Sequence, residues 1–248
     1  MLEYFLPRAS SYAKDIDLLF DVITYLVGFW FFLVLGFFFY VLFRFRRKPG
    51  QKAQYLTGET HKEKLAIEIP HYLILACDLV ILVMTFLVWH KVKIDMPPAD
   101  EEVRIVAQQW AWSFYHPGPD GLLETEEDNI PMVNELHLKV GTQYTYHLES
   151  PDVMHSFSVP VFRLKQDAIP GRIISGHFQP ILEGEWDIQC AEMCGFGHGF
   201  MPARLYVHSA ESYDAWLAAN TPEQLKDAAS YAAVEPKNSD KKEDKSNG

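Results

Sequence analysis

Cysteine is scarce in this chain, three in 248 residues, too few for a scaffold built on disulfides. The spacing Cys-x-x-Cys-His that tethers a c-type haem occurs nowhere, so no haem is expected in this chain. Basic residues are also short, 22 Lys and Arg against 33 Asp and Glu. The resulting formal charge of −11 tells against a nucleic-acid partner, whose phosphates call for a positive surface. No internal repeat is present. A cleaved leader is not expected: it would open with basic residues and close on small ones. The first apolar run instead follows Asp15, Asp17 and Asp21 and ends in Arg44-Phe45-Arg46-Arg47-Lys48.

What that run lacks is charge. Positions 22–43 are 22 consecutive uncharged residues rich in Phe, Leu and Val. As a helix they span about 33 Å at roughly 1.5 Å per residue, the thickness of a bilayer core. Positions 69–89 form a second such run, interrupted by His71 and Asp78. Two crossings put both termini on one side. The connecting positions 44–68 carry seven Lys or Arg against two in 1–21, which sets that loop in the cytoplasm and everything after about Lys91 outside. The outer portion, 91–248, holds 25 acidic and 13 basic side chains, a balance suited to basic partners. Asp78 in mid-helix costs on the order of 3 kcal/mol against lipid, so it is expected to face a partner subunit or a buried polar group. Its neighbour Cys77 reads as a packing residue.

Met96-Pro97-Pro98 stops the second helix, and the text then changes character. Short alternating runs at 103–106, 135–140, 143–148, 156–159, 172–175, 184–189 and 203–207 read as strands parted by Gly, Pro and Asp turns. So many short strands in about 110 residues suggest an all-β sandwich or barrel. A helical stretch opened by the cap-like Ser209 follows, with a break expected near Pro222. The expected organisation is thus 1–95 for an N-terminal segment and two-helix anchor, 96–209 for the outer β domain, 210–233 for the helical segment, and 234–248 for a charged, disordered tail.

The chemistry gathers at Gln189-Cys190-Ala191-Glu192-Met193-Cys194-Gly195-Phe196-Gly197-His198-Gly199-Phe200-Met201-Pro202. Two thiols, an imidazole and a thioether fall within 12 residues, on a loop expected to follow a strand. Soft sulfur with imidazole is a copper ligand set. A single copper of the blue type needs one Cys; here there are two, and two thiolates can bridge a pair of copper ions that share one electron. The second imidazole that such a pair needs has an upstream candidate in His155, at the start of an expected strand. Gly195, Gly197 and Gly199 let the loop fold tightly. A disulfide is the plain reading of a lone Cys-x3-Cys outside the cytoplasm, but the His and Met tell against it. Structural zinc is disfavoured because Met201 is a poor zinc ligand.

At these residues the chain resembles subunit II of the haem-copper cytochrome c oxidases, which carries the binuclear CuA centre. The likeness extends to Asp152-Val153-Met154-His155-Ser156-Phe157-Ser158-Val159-Pro160, to Leu164-Lys165-Gln166-Asp167-Ala168-Ile169-Pro170-Gly171-Arg172, to Gln109-Trp110-Ala111-Trp112-Ser113-Phe114 and to the two-helix anchor. It implies a two-helix transmembrane hairpin followed by a cupredoxin-like sandwich. It implies copper ligands at His155, Cys190, Cys194, His198 and Met201, with the backbone carbonyl of Glu192 as the sixth. The Glu192 side chain matches a ligand to magnesium at the interface with the catalytic subunit, and Trp110 the aromatic residue through which electrons arrive from cytochrome c. Glu63 matches the glutamate at the mouth of a proton channel. Two departures stand out: Ala111 replaces a common Tyr, and Ala66-Ile67 replaces a usual Trp-Thr pair.

The function so implied is to accept electrons from cytochrome c onto CuA and pass them to haem in subunit I, where oxygen becomes water and protons are pumped. The setting implied is a bacterial inner membrane, with the copper domain and both termini on the periplasmic side. Glu124, Glu126, Glu127, Asp128 and Asp152 are candidates for docking a basic cytochrome c. The rivals are the CuA subunit of a nitrogen-oxide reductase and a non-redox structural oxidase subunit. Glu192 and the two-helix anchor disfavour the first; retention of every ligand disfavours the second.

Overall fold

Aromatic and aliphatic side chains with no intervening charge give the first run nothing to do but form a helix, and in the computed structural model it does. The structure describes residues 2–52, 57–118, 123 and 130–221. A short turn of helix, α1 (Leu2–Phe5), precedes the long α2 (Ala13–Arg44), which begins nine residues before the uncharged stretch. The second long helix, α3 (His61–Trp89), runs on through a wider turn at His90–Ile94. Thr60 caps it: its hydroxyl accepts from the Glu63 N–H while the Glu63 carboxylate accepts from the Thr60 N–H at 3.1 Å, a reciprocal capping box. Pro70 lies inside α3 without ending it. Both helices are long and apolar enough to cross a membrane, and α2 packs against α3. Arg8 and Asp17 pair at 2.7 Å, with Asp17 fully buried.

The chain divides into two compact units: residues 1–8 with 12–96, and 9–11 with 97–248. The second unit is a sandwich of two five-stranded sheets. One has the order β3 (Ile130–Val133), β2 (Ala111–His116), β1 (Glu101–Gln108), β5 (Tyr144–Glu149), β8 (Ile174–Phe178). The other has the order β4 (Glu135–Lys139), β10 (Ala203–His208), β9 (Gly184–Cys190), β6 (His155–Val159), β7 (Leu164–Ala168). Pairing is antiparallel except for β1 with β5 and β4 with β10. Every second residue of β2 is buried, so Trp112, Phe114 and His116 point inward. There Trp112 and Phe114 meet Phe157 edge-on, and Tyr146 stacks on Phe178 with ring centres 5.7 Å apart. Each such ring contributes roughly 1.5–3 kcal/mol by leaving water. The helix α4 (Ala210–Asn220), capped by Ser209, closes the described part of the unit. Its expected continuation to 233 and the tail 234–248 lie outside the described residues, as do Glu124, Glu126, Glu127 and Asp128.

Three strands escape the pattern reading. β3 is an edge strand containing Pro131, β7 reads Leu-Lys-Gln-Asp-Ala with only its ends buried, and β2 buries Trp112 and Phe114 together with the polar His116. The strand expected at 172–175 begins two residues later, at Ile174, and runs to the buried Phe178. Residues 9–11 lie along the sandwich: the Ala9 N–H donates to the Val161 carbonyl at 3.0 Å, the Ser11 N–H to Gln179 at 3.1 Å, and the Ile181 N–H to Ala9 at 2.9 Å. The Ser10 hydroxyl donates to the Phe162 carbonyl at 2.8 Å.

Candidate metal centre

Strands β6 and β9 are neighbours, with Phe157 opposite Cys190 in register. That pairing brings His155, at the start of β6, beside Cys190, at the end of β9. The chain then loops through Cys194, a short 3-10 turn at His198–Phe200 and Met201 before re-entering the sheet as β10. The Ala191 N–H donates to the Ser156 carbonyl at 3.0 Å and pins the loop's first step to β6.

The donor atoms divide into two sets, one around each thiol. Cys190 Sγ lies 3.9 Å from His155 Nδ1 and 3.3 Å from the Glu192 carbonyl oxygen. Cys194 Sγ lies 3.7 Å from His198 Nδ1 and 3.3 Å from Met201 Sδ. The two sulfurs are 3.9 Å apart and both thiols are free, far beyond the roughly 2.05 Å of a disulfide bond. His155, Cys190 and Cys194 place their ligand atoms within 4.8 Å of one another. His155, Cys194 and Met201 are buried, and Cys190, Glu192 and His198 are partly exposed. Burial, then the adjacent Cys190, pushes the Cys194 thiol up to about 11. Uptake of a cation there must release that proton.

A second layer of contacts holds the donors in place. Asp152 accepts from the backbone N–H of Gln109 and of Val153, both at 2.6 Å, from the Ser150 hydroxyl at 3.2 Å and from His155 Nε2 at 3.0 Å. Partial burial works against its charge, but the Gln109 and Val153 N–H groups, then His155 and Ser150, outweigh it and hold the carboxyl down at about 2. A carboxylate only accepts, so the His155 proton resides on Nε2 and the Nδ1 lone pair is directed at the thiol. The Cys194 carbonyl accepts from Gln109 Nε2 at 2.9 Å and from Trp110 Nε1 at 3.3 Å. Trp112 Nε1 donates to the Met201 carbonyl at 3.0 Å. Gly195 sits at φ +113°, and a Cβ on Gly197 would fall inside the Trp110 indole. Both positions therefore require glycine.

Comparison with known proteins decides the ancestry. Residues 102–207 match the family described as cytochrome C oxidase subunit II, periplasmic domain. The chain is 34% identical over 232 residues to the alternative cytochrome c oxidase subunit 2 of Bradyrhizobium diazoefficiens, covering 85% of this chain and 82% of that one. This chain belongs to the cytochrome c oxidase subunit II family. A subunit 2 from Synechocystis is 39% identical over 114 residues, and the match spans 46% of this chain but only 31% of that relative. Among solved structures, the periplasmic domain of subunit II of cytochrome oxidase from Bradyrhizobium japonicum aligns with a TM-score of 0.46 and 26% identity, over 51% of this chain and 96% of that one.

The family resemblance read from the sequence and its fold class, an apolar helix pair with a cupredoxin-like sandwich, are thus established, and the chain is a membrane protein with a periplasmic domain. As a subunit II it is part of an oxidoreductase. The six residues singled out around the copper loop come together; Trp110 joins them through the Cys194 carbonyl and is 40% exposed. Glu192 is partly exposed beside Cys190. Glu63 stands apart, in the first turn of α3. Sequence reading missed Gln109 and the orienting role of Asp152. The run Ser-x-Asp-x-x-His, a turn-former and a carboxylate just ahead of a ligand, is the signal that could have found the latter.

Proposed function

We propose that this subunit II receives electrons from cytochrome c at a binuclear copper centre and delivers them to haem in the catalytic subunit, where oxygen is reduced to water and protons are pumped. The observation that carries this reading is the doubled donor set: two thiols 3.9 Å apart, each with its own imidazole nitrogen at 3.9 or 3.7 Å. Soft sulfur and imidazole gathered in one partly buried site fit copper. Cys190, Cys194, His155, His198, Met201 and the Glu192 carbonyl would together hold it. Bound there, the copper pair supplies a one-electron centre whose charge is spread over both metals.

The chain's own residues do the rest. Asp152 fixes the tautomer and direction of His155, while buried Trp112 and the Gln109 and Trp110 donors hold the loop's carbonyls still, so the site changes shape little. Trp110, half exposed and bonded to the Cys194 carbonyl, is the route by which electrons reach the thiolates from a docked donor. The Glu192 side chain is assigned to magnesium shared with the catalytic subunit, and Glu63, which also caps α3, to the proton-channel mouth.

The anchor is assigned two crossings, with both termini and the copper domain outside a bacterial inner membrane and lipid around the helices. The hydrogen bonds of residues 9–11 to the sandwich support this, because a segment before α2 and strands after α3 can meet on one side only if the chain crosses an even number of times between them. The domain boundaries read from sequence remain part of this proposal.

The test is metal analysis and spectroscopy of the full chain purified after expression with ample copper. Two coppers per chain, near-infrared absorption and a mixed-valence electron spin resonance signal are expected. One copper or none, or a Cys190–Cys194 cystine, would defeat it.

A further inference from the structure

Nothing in the copper chemistry calls for the turn Ile169-Pro170-Gly171-Arg172, which leads into β8. The Arg172 N–H donates to the Ile169 carbonyl at 3.1 Å, and Gly171 sits at φ +76° with proline ahead of it. That is a type II turn, whose third position favours glycine. The turn sets Arg172 and Ile173 on the wall of a cleft of about 390 Å³, with Arg104, Val106, Glu149, Ser150 and Pro151 around them. Part of this wall is held in place before any ligand arrives: Ser150 is buried, and its hydroxyl donates to the Val153 carbonyl and to Asp152. Val106, Pro151 and Ile173, the last 67% exposed, give the cleft an apolar side.

Charge within the cleft is unbalanced. Arg104 is occupied by Glu149, with Nε and Nη2 at 2.7 and 2.6 Å from one carboxylate oxygen, and its guanidinium lies over the Tyr115 ring at 5.5 Å. Lys139, Lys165 and Arg204 each lie within 3.5 Å of a carboxylate, and Arg163 donates to the Pro160 carbonyl. Of the lysines and arginines described in this unit, Arg172 is the one whose side chain has neither an ion pair nor a hydrogen bond among the described residues. An unpaired guanidinium thus stands open in an outer portion with 25 acidic side chains against 13 basic. We propose that this cleft binds a small monocarboxylate with a compact apolar body. The carboxylate takes the Arg172 fork through two parallel N–H···O bonds, and the body covers Ile173, Pro151 and Val106. One unpaired guanidinium matches one negative charge, whereas a dianion would set its second charge against Glu149. A cation, a basic electron carrier included, has the wrong sign for Arg172, and an uncharged ligand leaves it unneutralised.

The test is fluorine NMR of para-fluorobenzoate added to the purified full chain in detergent at fixed ionic strength. Line broadening that benzoate reverses and benzamide does not is expected. Arg172→Gln is expected to weaken binding by about 10–100-fold, the range for losing a charge-assisted pair. Arg172→Lys, which keeps the charge but not the fork, should lose less. Arg204→Gln removes an equal charge from a paired site and should bind as the unsubstituted chain does. Equal broadening in Arg172→Gln overturns the proposal, as does displacement by benzamide equal to that by benzoate, or no broadening at all. Arg172 is exposed, so its substitution should leave the unfolding midpoint of the outer domain unchanged. If the midpoint falls, Arg172→Lys and the benzamide comparison on the unsubstituted chain still decide. Binding is read with copper loaded and with copper removed, so its failure leaves the functional reading standing.

Discussion

Asp152 was singled out in the sequence as a surface charge for docking, and its four hydrogen bonds give it a further task. It ties the Gln109–Trp110 corner to His155, so one carboxylate sets both a ligand's tautomer and the place where electrons are proposed to arrive. Removing such an orienting partner lowers metal affinity by about 10–100-fold. Asp152→Asn is therefore expected to lose copper to a chelator at a 10–100-fold lower chelator concentration, while the unfolding midpoint of the outer domain moves little. Gly197→Ala places a methyl group against the Trp110 indole. A cost of about 1–3 kcal/mol, read by denaturant unfolding, is expected, together with slower reduction of the copper by donor. The sulfur and imidazole donors that gather at this loop stood out by residue type and spacing, two Cys, a His and a Met within 12 residues. Gln109 was not, because a glutamine on a strand end carries no chemical signature until the Cys194 carbonyl is seen beneath it.

The strands β2, β4 and β10, with α4, enclose a group of rings that no motif announces. His137 stacks on Trp216 with ring centres 4.3 Å apart and on Tyr206 at 4.7 Å. Its Nδ1 faces His208 Nε2 at 2.9 Å, its Nε2 lies 3.5 Å from Glu135, and His208 Nδ1 lies 3.2 Å from the Ser212 hydroxyl. His116 is wholly buried beside them, and neither of its ring nitrogens has a hydrogen-bond partner among the described residues. Burial, with His137 nearby, lowers His116 to about 3; burial likewise lowers His137 to about 4 and shifts His208 downward. These groups are neutral in the fold and take up protons on unfolding below about pH 6.5, so the stability they hold in place is complete above that pH and drains as pH falls toward 4 and 3. Each fully responsive histidine removes about 1.4 kcal/mol per pH unit. The unfolding free energy of the full chain's outer domain is expected to drop between pH 7 and 5, and His116→Phe to flatten that slope. Alternating patterns revealed most strands, because one face of each is buried. They failed at β2, which buries a polar His116, and at β3 and β7, an edge strand containing Pro131 and one whose middle residues are only partly covered.

Over the whole chain, acidic side chains outnumber basic ones by 33 to 22. Such a field attracts a basic electron carrier at long range and is screened over roughly 8 Å at physiological ionic strength. Turnover of the assembled oxidase with such a donor is expected to fall as salt rises, through slower association rather than through the maximal rate; steady-state kinetics against ionic strength checks this. The hairpin and the sandwich were both readable from text, since apolar length and alternation are properties of sequence alone. That residues 9–11 belong to the sandwich was not, because their partners are more than 150 positions away. This late partnership fixes an order of biogenesis. Residues 9–11 cannot complete their hydrogen bonds until position 181 has been synthesised. A nascent chain halted before that point should leave Ala9–Ser11 open to protease, and a completed one should shield them.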